Sequence, residues 1–164
     1  MKNNQIRLAT MEEGSQIIDL LKETATWIQE QGINQWGYLL DGGEDTEILR
    51  CIGENCTYVV NIDNELIATF TLYHEQNDWD KYIWGEILAD SMYLHKLAVK
   101  PSYMKYGLGK EIIQWIVENI QGEKKYLKLD CVGDNKKLNQ FYINNGFEFL
   151  GISKEHSKYQ KLLD

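Results

Sequence analysis

Residues Met92–Lys110, MYLHKLAVKPSYMKYGLGK, run from an extended apolar segment through the only proline of the chain, Pro101, into a turn bearing Gly107 and Gly109. Beyond the turn, Leu108, Ile112, Ile113, Ile116 and Ile120 recur at helical spacing and stop at Gly122. A strand handing over to a helix leaves the first helical N–H groups without intrahelical acceptors and aimed one way, which makes a receptor for phosphate. A second strand is predicted at Tyr126–Val132. The two strands and the helix form a β-α-β unit, with parallel strands and a right-handed crossover.

Upstream, Ile6–Ala9 reads as a first strand, and Thr10 followed by Glu13 has capping-box spacing. Ile17, Ile18, Leu21, Ala25 and Ile28 predict one amphipathic helix over 11–31, and a shorter helix fits 45–52. Strands at 57–61 and 65–73 flank an Asp63-Asn64 turn and predict a hairpin. Residues 74–90 mix acids with aromatics without a clean period and read as a long functional loop with room for a helical turn. Downstream, a short helix over 135–145 and strands near 147–153 and 157–162 complete the chain. The fold class is mixed α/β: a twisted mixed sheet of about six to seven strands with about four helices, expected as one domain over residues 1–164.

The net charge of −8 argues against nucleic-acid binding, which needs a basic face to displace counterions. No apolar run is long enough to span a membrane, and the polar N-terminus lacks a signal-peptide apolar region, so a cytoplasmic location is expected. Cys51, Cys56 and Cys131 match no common zinc spacing, and His74, His95 and His156 form no ligand-spaced cluster with them. No metal is expected, and the cysteines read as packed, reduced thiols.

Three phosphate-binding patterns can be counted against the turn. A Walker loop needs a glycine at position 104 and Ser or Thr at 111, where this chain has Met104 and Glu111. The dinucleotide pattern begins at Gly107 and Gly109 but meets Ile112 in place of its third glycine. The segment Leu97-Ala98-Val99-Lys100-Pro101, Tyr103, and Met104 to Gly109 instead resembles the acetyl-CoA-binding motif of the Gcn5-related N-acetyltransferase (GNAT) family. Two positions depart from that motif: Met104 stands where the family has Arg or Gln, and Lys105 where it often has glycine. A second stretch, Leu129 to Val132, Asn135, Phe141-Tyr142 and Asn145-Gly146-Phe147 with Gly151, resembles the downstream signature of the same family.

The resemblance implies direct transfer of an acetyl group from acetyl-CoA, the co-substrate, to the primary amine of a small or amino-acid-like acceptor, and the acids Glu75, Asp78, Asp80, Glu86 and Asp90 among the aromatics of the 74–90 loop favour a cationic or aromatic one. The alternative is a domain that binds acyl-CoA as a sensor or scaffold without transfer. It further implies that Met104, Lys105, Tyr106, Gly107, Leu108, Gly109 and Lys110 hold the coenzyme pyrophosphate, and that the backbone of Leu97, Ala98 and Val99 pairs with its pantetheine arm. Asn135 is implied as a coenzyme contact and Tyr142 as the general acid for the departing sulfur. No motif fixes the general base. Glu86 and His95, near or on the strand expected to border the acceptor, are both able to take the amine proton. Trp27, Trp36, Tyr73 and Trp84 are the aromatics expected around the acceptor, and a homodimer fits the resemblance.

Overall fold

The computed structural model describes residues 5–87, 90–120, 122 and 124–163. Seven strands alternate with helices: β1 (Gln5–Leu8), α1 (Gly14–Glu30), α2 (Asp45–Gly53), β2 (Thr57–Ile62), β3 (Glu65–Tyr73), α3 (Asp78–Trp84), β4 (Ser91–Val99), α4 (Leu108–Asn119), β5 (Tyr126–Val132), α5 (Lys136–Asn144), β6 (Glu148–Ser153) and β7 (His156–Leu162). The hydrogen-bonded strand order is β1-β2-β3-β4-β5-β7-β6, a mixed sheet. The chain divides into two compact units, Met1–Thr71 with Lys96–Ile112, and Leu72–His95 with Ile113–Asp164.

In the first unit, β1, β2 and β3 pair antiparallel. The β2–β3 turn places Asp63 and Asn64 at φ 48° and 71°, both left-handed, the conformation that matches strand twist in a two-residue hairpin. Helix α1 buries Ile17, Leu21 and Ala25, the predicted stripe, in a core with Leu39, Ile48, Ile52, Val59 and Ala98. Its predicted start is divided: Met11–Glu13 forms a 3-10 turn before the α-helix begins. The Thr10 N–H donates to Glu13 Oε1 at 2.9 Å. The same Glu13 carboxylate receives Arg7 in a two-pronged pair at 2.9 and 2.6 Å, so the cap is tied to β1.

In the second unit, β4 and β5 are parallel with Ser91–Tyr93 beside Tyr126–Lys128, as the β-α-β reading requires. Strand β7 lies antiparallel to both β5 and β6. Tyr142 on α5 packs its ring against Phe141, Phe147 and Tyr159, with centroids 5.2 to 5.8 Å away. Helix α5 ends on Gly146 at φ 85°, and the Phe147 N–H turns back to the Tyr142 carbonyl at 3.0 Å.

The largest departure from the sequence reading lies in 74–90. Residues 88 and 89 fall outside the described residues, but the centre of this segment is a helix of two turns, α3, longer than the single helical turn expected within a loop. Asn77 caps it: its Oδ1 accepts from the Asp80 N–H at 2.8 Å, and its own N–H donates to Asp80 Oδ2 at 3.2 Å. Two turns are too short to display a 3.6-residue period, which is why the pattern was invisible in sequence.

Candidate active site

The segment that opened the sequence reading lies in the first unit from Lys96 onward. Lys100 N–H donates to the Ile67 carbonyl at 2.7 Å, and Pro101–Tyr106 then coils as a 3-10 helix. Gly107 follows at φ 72°, the left-handed conformation that favours glycine, and a Cβ there would meet nothing within 4 Å. Glu111 N–H donates to the Gly107 carbonyl at 3.2 Å, making Gly107 the N-cap of α4. Under that geometry the N–H groups of Leu108, Gly109 and Lys110 have no intrahelical acceptor. They form an anion receptor at the positive end of a three-turn helix.

Lys105 lies within the 3-10 helix and has no positive φ, so its Cβ is accommodated without strain. It and Lys110 are exposed beside the loop, while Met104 is half-buried and brings no charge. Lys100 is committed elsewhere: its ammonium is 2.8 Å from Glu65, which also accepts from the Tyr103 hydroxyl at 2.9 Å. These residues fit a pyrophosphate held mainly by backbone. Preceding them, Lys96 adopts φ 53°, a left-handed non-glycine residue inside β4. Such a residue breaks the regular ladder and turns the strand. No sequence signal marks it, because glycine or asparagine is the usual sign.

The second unit gathers the other predicted side chains. His95 Nε2 lies 2.9 Å from Asp80 Oδ1, and the Asp80 side chain is 1% exposed. The edge of the Tyr73 ring packs on His95 at 5.0 Å. Trp84 packs on Tyr93 at 6.3 Å and has Lys128 and Lys158 ammonium groups 5.4 and 5.3 Å from its ring. Trp79 Nε1 donates to both oxygens of Asp130 at 3.1 and 3.0 Å, and His156 Nδ1 is 3.0 Å from Asp130 Oδ2. Helix α3 therefore covers a sheet face that is polar and aromatic, through Trp79, Asp80 and Trp84. Lys128 was not singled out from the sequence, and Asp80, Asp130 and His156 were read there only as a loop acid, a motif position and a histidine outside any metal cluster; the Asn77–Asp80 capping spacing was the signal that would have placed Asp80.

Of the two base candidates, Glu86 is exposed after α3, whereas His95 is half-buried against a carboxylate. Tyr142 is 6% exposed. Burial, reinforced by Cys131 and Asp130, raises its pKa well above the ordinary phenol value, so the hydroxyl keeps its proton. Cys131 is likewise pushed up to about 12, mainly by burial, and is no ready nucleophile. Asn135 caps α5, with its Oδ1 accepting from Leu138 N–H at 3.2 Å. In the first unit, Trp27 is exposed on α1, and Trp36, at φ 62°, packs against the apolar core. No group of three metal-ligating side chains occurs among the described residues, and no helix there is long and apolar enough to cross a membrane.

The acetyltransferase (GNAT) domain profile matches residues 53–149. The chain is 37% identical over 145 residues to the uncharacterized N-acetyltransferase YesJ of Bacillus subtilis, covering 87% of this chain and 81% of that protein. It is 26% identical over 152 residues to the S-(2-succino)cysteine N-acetyltransferase of the same organism, covering 86% and 82%. The crystal structure of the PaiA N-acetyltransferase of Thermoplasma acidophilum, a complex with coenzyme A, superposes with a TM-score of 0.79 at 19% identity, covering 97% of this chain and 98% of the other. A helix-capping loop at the predicted pyrophosphate position, a mixed seven-stranded sheet and these relatives together establish that the chain belongs to the GNAT family and is an acetyltransferase.

Proposed function

We propose that this enzyme, acting as one unit over residues 1–164, moves the acetyl group of acetyl-CoA directly to the primary amine of a small, amino-acid-like acceptor. The observation that carries this reading is the His95–Asp80 pair. In the tautomer in which Nε2 donates to Asp80 Oδ1 across 2.9 Å, Nδ1 keeps its lone pair for the proton of an acceptor ammonium. The released amine attacks the thioester carbonyl carbon. The resulting oxyanion is stabilised by backbone N–H from Leu97–Val99, and collapse breaks the C–S bond. Tyr142 supplies the proton taken up by the departing thiolate, and the proton shed by the newly acylated nitrogen restores the phenol. The N–H groups of Leu108, Gly109 and Lys110 hold the pyrophosphate, with Lys105 adding charge and Asn135 a polar contact.

The small-molecule acceptor is supported by the relative named for acetylating S-(2-succino)cysteine, an amino acid, and by Tyr73 and Trp84 beside His95 and Tyr93. Cys51, Cys56 and Cys131 form no disulfide among the described residues, which fits work in the reducing cytoplasm. Strand β6, last in the sheet order, exposes Phe149, Leu150 and Ile152, which supports a homodimer. The deciding experiment is release of coenzyme thiol from acetyl-CoA across a panel of primary amines. Turnover of small amino acids is expected; acetyl-CoA binding without thiol release from any amine in the panel would refute the reading.

A further inference from the structure

The sheet face under α3 holds buried polar atoms that no protein group satisfies among the described residues. There Tyr93, 2% exposed, has a buried hydroxyl without a bonded partner, and the indole N–H of Trp84 is buried in the same condition. Burial raises the Tyr93 pKa to about 12, and Gln76 offsets this in part without reaching bonding geometry. Lys128, the register partner of Tyr93 on β5, is 6% exposed, and its ammonium lies near the Trp84 ring. Its ion-pair partner among the described residues is Asp90, at 3.7 Å, and the Oδ1 atom involved already accepts from the Ser91 hydroxyl at 2.8 Å. Burial lowers the Lys128 pKa, with Asp90 opposing the shift. A buried ammonium and two buried donors without acceptors are each unfavourable alone. One carboxylate would satisfy all three.

We propose that Lys128, the Trp84 indole N–H and the Tyr93 hydroxyl form a receptor for the carboxylate of an amino-acid acceptor, with Lys158 adding charge on the Trp84 ring. This inference rests on the proposed transfer to a small amine and names the class of that amine. Tyr93 and His95 are two residues apart on β4 and so share a face, with about 6.6 Å between their Cα atoms. The ammonium end meets the His95–Asp80 pair and the carboxylate end meets Lys128, so the face is complementary to a zwitterion. Asp90, whose side chain is 45% exposed, borders Lys128 on the solvent side.

Two measurements test this. Thiol release is compared between small α-amino acids and their α-carboxamides, in the wild type and in Lys128→Met and Lys128→Arg. The free acids are expected to have kcat/KM at least about tenfold above the amides, a preference erased in Lys128→Met and partly kept in Lys128→Arg. The indole N–H resonance of Trp84, identified by its loss in Trp84→Phe, is expected to move on adding the acids and not the amides. Equal turnover of acids and amides, or an unmoved indole resonance, overturns the receptor. A moving resonance with no thiol release from any amine upholds the receptor and refutes the transfer reading instead.

Discussion

The turn at Pro101–Lys110 and the sheet face beneath α3 are both suited to charged ligands, but they are made of opposite materials. The turn works through consecutive backbone N–H groups at one helix end, so its geometry is local and tolerant of side-chain change. The face works through side chains from β3, α3, β4, β5 and β7, among them Tyr73, Asp80, His95, Lys128 and His156. Met104 and Lys105 can therefore depart from the family motif without loss of the fold, whereas the face depends on each individual group. Affinity for coenzyme and competence for chemistry should separate under mutation.

The sharpest break of that contrast comes from His95→Ala. It should lower kcat by about 100-fold or more while the rise in melting temperature on adding acetyl-CoA persists; loss of both together would show that the two regions do not act separately. Tyr142→Phe should lower kcat by about 100-fold with coenzyme affinity changed less than about twofold, measured by steady-state kinetics and calorimetry. Lys96→Val places a β-branched residue at φ 53° and should reduce stability by about 1–2 kcal/mol in urea titration, whereas Lys96→Gly should not. Met104→Arg should tighten coenzyme binding by about fivefold through one charge-assisted bond, and unchanged affinity would detach position 104 from the pyrophosphate.

The smallest effect concerns a pair outside both regions. The Arg7 hydrogen bonds hold the Glu13 carboxyl at about 2, below its usual 4.5. A carboxyl lowered on folding stabilises the folded state above the usual value, and that contribution is lost as pH falls toward 2. Glu13→Gln should therefore flatten the fall in melting temperature between these two pH values while leaving thiol release near wild type. A fall as steep as that of the wild type would show that the pair contributes nothing.

Most elements of the fold were legible in the sequence because they announce themselves locally. The β-α-β unit around 92–132 needed only apolar periodicity, and the Asp63-Asn64 turn needed only residue types that tolerate positive φ. The companion turn at Lys154 and Glu155, at φ 51° and 67°, carries no such residues and is made by the β6–β7 pairing. Helix α3 was legible only as a helical turn within a loop because seven residues show no period, and its capping pair was submerged in an acidic stretch.

By itself the sequence determined the loop proposed to hold the pyrophosphate, since the glycine turn and the backbone bond that cap α4 join residues within one helical turn. It also placed His95 on a strand, without separating it from Glu86. Only tertiary structure set Asp80 against His95 and left Lys128, Trp84 and Tyr93 with donors and too few acceptors. The physical reason is distance along the chain. Asp80 and His95 are 15 residues apart, and Trp79 and Asp130 are 51 apart, so no periodicity or motif links them before the strands pair.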